Sequence, residues 1–335
     1  MNTKNVVIVG ATGVVGQEMI NCLDKLKFPV GKLRLTASER SAGKVLPTPF
    51  GDVTVETISE EVFADSDIAL FSAGSDVSRE WRERVVANNC LMIDNSSAFR
   101  YDDDVSVVVP EINPDAARAH NGVISNPNCT TAILAVALYP LYREYGLKKV
   151  IVSTYQATSG AGMAGMQELL DQTRDVLDDR EVRPQSFAHQ IVFNIIPHID
   201  AFQENGYTKE EMKVTWETHK IFGDDSFPVS CTAVRIPTLR AHSESVVIET
   251  EKEIDPDSAR RLLSESPGVE LVDDVENNVY PMPINATQQF DVQVGRIRRN
   301  LVFGDRGLEF FVSGDQLLKG AALNAVQIAQ LFINQ

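Results

Sequence analysis

Residues 125–131 read SNPNCTT and run directly into AILAVALYPLY. A polar Asn-Pro-Asn turn hands over to an apolar helix, and Cys129 stands at the junction. In the first turn of a helix the backbone N–H groups lack intrahelical acceptors, and the dipole presents its positive end. That setting favours a thiolate, with a pKa of about 3.5–7.5 against about 8.5 for an ordinary thiol. Cys129 is therefore a candidate nucleophile, and a nucleophile needs a base and an oxyanion stabiliser. Of the five histidines, His242 is set apart by its surroundings, AVRIPTLRAHSESVV. It falls between two strand patterns, beside Arg235 and Arg240, in a chain short of positive charge. Neighbouring arginines lower a histidine's pKa, which leaves it neutral and able to accept a proton near pH 7. Taken alone, the stretch also suits a hydrogen-bonded loop histidine.

These side chains need a scaffold. NVVIVG, residues 5–10, is a short β-branched run, read as a strand buried on both faces. A turn and helix follow in ATGVVGQEMINCLDKL, then strands in KLRLTAS, DIALFSAG and CLMIDNSS, with a helical pattern in VSREWRERVVANN. Strands alternating with helices predict βαβ units and a parallel sheet. Near Asn128 the texture changes. VSCTAVRIP, SESVVIETEKEI, DVQVGRIRRN and LEFFVSGD alternate, which predicts an α+β second domain whose sheet has one solvated face. QLLKGAALNAVQIAQLFINQ closes the chain as an apolar-periodic helix. The acidic runs YDDDV and LDDREV read as solvated surface.

The first strand ends in GATGVVG, with Gly10, Gly13 and Gly16 spaced as a variant of the dinucleotide fingerprint. One glycine permits the tight turn, one lets backbone approach a pyrophosphate, and one lets helix pack on strand. The phosphates then meet the helix N-terminus. An NAD site usually carries Asp or Glu at the end of the second strand. This chain has Thr36, Ala37 and Ser38 there, then Glu39, Arg40 and Ser41. Arg40 between two serines suits a ribose 2′-phosphate and hence NADP, while Glu39 leaves NAD open.

The whole composition sets bounds. At 335 residues the length predicts about two domains. With 43% hydrophobic and 23% charged residues, the chain is globular in type. A net charge of −16 argues against nucleic-acid or anionic-membrane partners. The four cysteines (Cys22, Cys90, Cys129, Cys231) form no CxxC pair and no His/Cys cluster, so neither a zinc site nor a disulfide framework is expected. Scattered thiols fit a reducing cytoplasm. No signal-like or membrane-length apolar stretch is present.

GATGVVG, SAFR, SNPNCTT, STYQATSGAG, WETHK, RIPTLRAHSE and GAALNAVQIA occur in that order. Together they resemble the aspartate-β-semialdehyde dehydrogenase family along essentially the whole chain. The resemblance implies an α/β fold: a Rossmann-type parallel-sheet dinucleotide-binding domain plus an α+β catalytic and dimerisation domain. The expected boundaries are 1–128 with a returning helix at 315–335, and 129–314. It implies NADPH-dependent reduction of aspartyl phosphate through a thioester on Cys129, with His242 taking the thiol proton and Gln156 orienting substrate. Arg100 and Lys220 would hold phosphate, Arg235 would pair bidentately with the α-carboxylate, and Glu217 would meet the α-ammonium. Asn128 would contact substrate. The expected cofactor contacts are Gly10, Thr12, Gly13, Val14, Val15, Ser38, Arg40, Ser41, Ser72, Gly74, Ser159, Gly160 and Asn324. No metal is expected, and the family implies a homodimer.

Several of these residues also have plainer readings. Glu217 and Lys220 make an ordinary exposed ion pair if their segment is helical, Asn128 an N-cap, and Gln156 a loop amide. Cys22, Cys90 and Cys231 read as apolar filling. N-acetyl-glutamyl-phosphate reductase is the nearest enzymatic rival, and its substrate would leave Glu217 without an ammonium. Glyceraldehyde-3-phosphate dehydrogenase shares the thioester logic but fits the cysteine and RAHSE contexts less well. A non-catalytic dinucleotide-binding sensor is the rival from another class.

Overall fold

A computed structural model describes residues 3–333. Residues 334–335, the end of the helix expected at the C-terminus, lie outside the described residues. The chain divides into two compact units, one running to Asn128 and resuming at Ala321, the other spanning Cys129–Gly320.

The first unit contains β1 (Lys4–Val9), α1 (Val14–Lys25), β2 (Val30–Ala37), β3 (Val45–Thr48), β4 (Gly51–Thr57), α2 (Glu60–Ala64), β5 (Ile68–Phe71), α3 (Ser75–Ala87), β6 (Leu91–Asp94), β7 (Ser106–Val107) and β8 (Val123–Ser125). Its sheet has the order β3-β4-β2-β1-β5-β6-β8-β7. β1 lies parallel to β2 on one side and β5 on the other. Val6, Val7, Ile8 and Val9 are all buried, which is why the run is apolar at every position. The order reverses between β1 and β5, and such a switch point opens a crevice at the carboxyl ends of the strands. An antiparallel hairpin, β3 with β4, caps one edge. Pro47 sits in β3, where an edge strand tolerates a missing donor.

The second unit opens with α4 (Cys129–Tyr145) and β9 (Lys149–Gln156), followed by α5 (Gly162–Leu177), α6 (Lys209–Phe222), β10 (Val229–Arg235), β11 (His242–Glu249), α7 (Pro256–Ser264), β12 (Val269–Leu271), α8 (Pro283–Ala286), β13 (Val292–Arg299) and β14 (Gly307–Gly314). The sheet order is β10-β9-β11-β14-β13-β12. It is mixed: β10 with β9 and β12 with β13 are parallel, and the remaining pairs are antiparallel. Alternation along β9 buries Val150, Val152, Thr154 and Gln156 and turns Ile151 and Tyr155 outward. The helix α6 begins at a capping box, with Thr208 and Glu211 bonding each other's backbone N–H, and stops at Gly223, which has φ 66.

The C-terminal helix α9 (Leu323–Gln330) belongs to the first unit and packs on α1, β5 and β6. Residues 315–320, assigned from sequence to the first domain, stay with the second unit. Side-chain bonds hold them there. Asp315 accepts from Arg240 Nε at 2.7 Å, and Gln316 bonds both Ser159 and Ala241.

Cys22, Cys90 and Cys231 are buried, and burial pushes the Cys90 thiol up to about 12 and Cys231 well above its ordinary value. No disulfide joins any of the four cysteines. Among the described residues no helix is long and apolar enough to cross a membrane, and no cluster of His, Cys, Asp and Glu could hold a metal.

Candidate active site

In the first unit the glycine turn sits at the switch point. Gly10 and Ala11 donate to the Thr36 carbonyl at 2.9 and 3.0 Å, and Gly13 closes the turn on the Gly10 carbonyl at 3.0 Å. Gly10 has φ 90 and lies so close to the Ser72 carbonyl that any side chain would collide with it. Thr12 and Gly13 are exposed. Helix α1 has no side-chain cap, so the amides about Val14 and Val15 are open to a phosphate. Ser38, Glu39 and Arg40 are exposed in a short turn after β2, with Ser41 half-buried. Arg40 makes no ion pair among the described residues. Gly74 opens α3 with φ 90.

A polar network lies at the carboxyl ends of β6 and β8. Arg100, only 6% exposed, donates to the carbonyls of Asn126 at 2.9 Å and Asn95 at 2.7 Å. Asn126 donates to Asn95 Oδ1 at 2.6 Å. Asn324, buried in α9, donates to Asn126 Oδ1 at 2.6 Å and to the Val108 carbonyl at 2.9 Å. Asn324 thus orients Asn126. Asn95 Nδ2 is buried and meets no acceptor among the described residues. An orphaned donor at a strand's carboxyl end, an uncapped helix start and an unpaired guanidinium between serines together fit a phosphorylated dinucleotide. Asn128, at the end of this unit, is buried. Asn95 and Asn126 were not singled out from sequence, since surface loops carry many asparagines.

In the second unit Cys129 is the first residue of α4 and is half-buried. The top row of the sheet's buried face brings together Gln156 from β9, Arg235 from β10 and His242 from β11. His242 is fully buried, and the Ala157 N–H donates to its Nδ1 at 3.0 Å. Burial, then the Arg235 charge, hold its pKa well below the ordinary histidine value. Arg235 donates from Nη1 to the Ala157 carbonyl at 2.6 Å, and the Phe187 ring lies 5.9 Å from its guanidinium carbon. Burial depresses the Arg235 pKa, and the negative charges of Glu210 and Cys129 offset part of that. Gln156 is clamped at both ends: Thr154 donates to its Oε1 at 3.0 Å, and its Nε2 donates to Glu210 at 3.2 Å.

Gly160 packs against this pair. A methyl there would come within 2.7 Å of Arg235 Nη1 and 3.4 Å of His242 Nε2. Ser159 is buried against Gln316. Gln316 Oε1 also accepts from the Ala241 N–H at 2.8 Å, which fixes an alanine held at φ 67 just before His242.

Helix α6 presents Glu210, Glu211, Val214, Glu217, Thr218 and Ile221 as one buried stripe. Glu211 is accounted for by its cap and by the Ala233 N–H at 2.9 Å. Glu217 is 1% exposed, which rules out the exposed ion pair that its spacing from Lys220 allows. Lys220 is half-buried and borders an open cleft with Trp216 and His219. Glu210, Gln316 and the Ala157 amide went unread in the sequence. For Gln316 the available signal was a polar pair, Asp315-Gln316, between two apolar runs.

Comparisons with known proteins follow this division. The semialdehyde dehydrogenase NAD binding domain matches residues 5–120, and the semialdehyde dehydrogenase dimerisation domain matches residues 138–319. The aspartate-semialdehyde dehydrogenase of Aquifex aeolicus is 49% identical over 334 residues, covering 98% of both chains. That of Bacillus subtilis is 46% identical, covering 97% of this chain and 96% of its own. The crystal structure of aspartate semialdehyde dehydrogenase II from Vibrio cholerae, complexed with ASA, matches with a TM-score of 0.97 at 42% identity, covering 100% of this chain and 99% of its own.

Proposed function

Because the chain belongs to the aspartate-semialdehyde dehydrogenase family, we propose that it reversibly reduces L-4-aspartyl phosphate to aspartate semialdehyde and phosphate through a thioester on Cys129. The observation that carries this reading is a half-buried cysteine at a helix start, electrostatically coupled to a buried arginine that shares a sheet row with a buried histidine.

Cys129 acts as thiolate, stabilised by the amides of α4 and by Arg235. Its sulfur attacks the acyl carbon, and phosphate leaves. NADPH, when bound, supplies the hydride that takes the thioester to the aldehyde level. The turn Gly10 to Val15, with Ser72 and Gly74, would hold its pyrophosphate and nicotinamide side, and Ser38, Arg40 and Ser41 its 2′-phosphate. Arg235 fits the substrate carboxylate, because a buried fork of donors binds a carboxylate bidentately. Glu217 is a buried carboxylate suited to the α-ammonium, which favours an amino-acid substrate over an N-acetylated one. Gln156, held by Thr154 and Glu210, orients the acyl group. Arg100 and Lys220 supply phosphate contacts, with Asn128 beside the nucleophile, and Ser159, Gly160 and Asn324 complete the cofactor's surroundings.

The protein works as a homodimer in the cytoplasm. The outward face of the second unit's sheet supports pairing, with Ile151 45% and Tyr155 37% exposed and Tyr155 packed 6.0 Å from Phe311.

The test is direct. Aspartate semialdehyde, phosphate and NADP should yield NADPH absorbance with wild type. Cys129→Ser should lose several orders of magnitude, since the covalent route disappears. Mass spectrometry of a quenched reaction should find the acyl group on the peptide containing Cys129. No turnover, or an adduct on another residue, refutes the proposal.

A further inference from the structure

We infer that Asp315 is a positioning residue of this site: its buried carboxylate joins the turn that seats Cys129 to Arg240, two residues before His242. The inference rests on the reading above for the identity of the nucleophile.

The seat is built from backbone. A side chain at Gly314, the last residue of β14, would meet Ile133 at 2.9 Å. One at Gly320 would come within 2.6 Å of Cys129 Cβ and 3.0 Å of its Cα. Cys129 and Ile133 are four apart in α4, so they lie on one face of the helix. The stretch from Gly314 to Gly320 therefore runs along that face. At Gly320 its backbone meets the nucleophile with no side chain between them to absorb a shift. Gly320 belongs to a single π-helical turn, Leu318–Ala322, a rare form that needs local support.

Asp315 supplies that support. Its Oδ1 accepts from the N–H groups of Leu317 at 3.0 Å and Leu318 at 3.3 Å. Its carbonyl accepts from those of Leu318 at 3.1 Å and Gly320 at 3.3 Å. An aspartate caps the start of a helical turn in this way. The second carboxylate oxygen serves other partners. Oδ2 accepts from Arg240 Nε at 2.7 Å and from the Gln288 N–H at 2.6 Å. Asp315 is 1% exposed, and a carboxylate so buried is tolerable only with donors on both oxygens.

Two residues next to these bonds hold positive φ without being glycine, Ala241 at 67 and Gln288 at 66. Such conformations persist where the surroundings over-determine them. Asp315 holds the Gln288 amide, and the neighbouring Gln316 holds the Ala241 amide at 2.8 Å. Ala241 links Arg240 to His242, which pairs with Gly314 across β11 and β14. One short stretch thus fixes both the seat of Cys129 and the start of β11. Loss of the charge on Asp315 leaves Arg240 Nε and the Gln288 N–H without this acceptor, a costlier event than breaking a surface ion pair.

Asp315→Asn keeps the side chain's shape and removes the charge and one acceptor. Iodoacetamide counts intact sites in each preparation, because Cys129 is half-buried and the other three cysteines are buried. Turnover with aspartate semialdehyde, phosphate and NADP is then expressed per alkylatable thiol. The expected kcat per site falls by about tenfold to a hundredfold, as a misplacement of about 1 Å does elsewhere, while KM for NADP stays within about twofold. A merely structural carboxylate would lower the number of sites and the melting temperature and leave kcat per site in place. A fall of less than about fivefold overturns the inference. Arg240→Gln removes the other half of the pair, should carry a similar loss, and is judged by the same threshold if Asp315→Asn does not fold. In the double variant the losses should not multiply, since one contact carries both; a combined loss equal to their product would show two independent roles and refute the coupling. Absence of turnover in wild type, or an adduct away from Cys129, defeats the reading of the nucleophile. An active wild type beside an undiminished Asp315→Asn defeats this inference alone.

Discussion

Replacing Gly160 with alanine separates the positioning of Arg235 from the stability of the fold. The added methyl would lie 2.7 Å from Arg235 Nη1 and 3.3 and 3.4 Å from Cε1 and Nε2 of His242. Ordinary contact begins near 3.4 Å, so the guanidinium must retreat by about 0.7 Å while the imidazole barely moves. The backbone offers no obstacle, since Gly160 sits in a short 3-10 turn, Thr158–Ala161, outside the left-handed region. Alanine restricts the unfolded chain, which returns about 0.4–1 kcal/mol, against about 1–3 kcal/mol for overpacking. The displaced atom is the tip of a flexible side chain, so the net cost should fall at the lower end, about 0–2 kcal/mol. Function should suffer more. The retreat strains the 2.6 Å bond to the Ala157 carbonyl and moves the fork that reads the carboxylate. A misplacement of this size costs about a hundredfold in kcat/KM, or about 2.7 kcal/mol of transition-state stabilisation. The assay is NADPH formation at varied aspartate semialdehyde, alongside a thermal melt. A variant within twofold of wild type in kcat/KM would show that Arg235 is not held where the reaction needs it.

Arg40→Ala should raise KM for NADP by roughly tenfold and leave that for NAD almost unchanged, as initial rates with each cofactor would show. Equal effects on both cofactors would remove Arg40 from the 2′-phosphate site. Gln316→Ala strands the Ala241 N–H beside His242, so urea unfolding should reveal a loss of about 1–3 kcal/mol and kcat should fall with it. An unchanged kcat would deny Gln316 any positioning role. Glu244 is fully buried, its two oxygens lack partners among the described residues, and burial pushes its pKa well above the ordinary carboxyl value. A carboxyl raised in the folded state is stabilising-neutral below its unfolded pKa of about 4.3, and it weakens the fold as pH rises from there towards the folded pKa. Glu244→Gln should therefore gain stability relative to wild type as the pH rises above about 4.3, by up to about 1.4 kcal/mol per pH unit until the folded carboxyl ionises, and a pH-independent difference would refute this.

The same residues show what a sequence can and cannot disclose. β1 was legible because burial on both faces makes each residue from Val6 to Val9 apolar, and the glycine turn because Gly10 cannot carry a side chain beside Ser72. Cys129 was legible because a polar turn followed by an apolar helix locates a helix start from local spacing alone. The β3–β4 hairpin was not, since four residues interrupted by Pro47 leave too little alternation to read. The burial of Glu210, Glu211 and Glu217 was not legible for a deeper reason. Their spacing is that of a buried stripe, yet three carboxylates normally mark the solvated face of a helix. For Glu211 and Glu210 what reverses the reading is largely distant: the Ala233 amide and the Gln156 side chain, joined by Lys213 from the same helix, supply the partners that make burial tolerable. Glu244 follows the same logic in a strand, sharing a face with His242, Val246 and Ile248 that only the sheet register can identify as interior. The control of His242 is the limiting case. The amide of Ala157 donates to its Nδ1, and every residue but proline carries such an amide, so no letter in the sequence marks the donor. Side chains that react can be read from their types and spacing, whereas a backbone group that governs them becomes visible only once β9 and β11 are seen side by side.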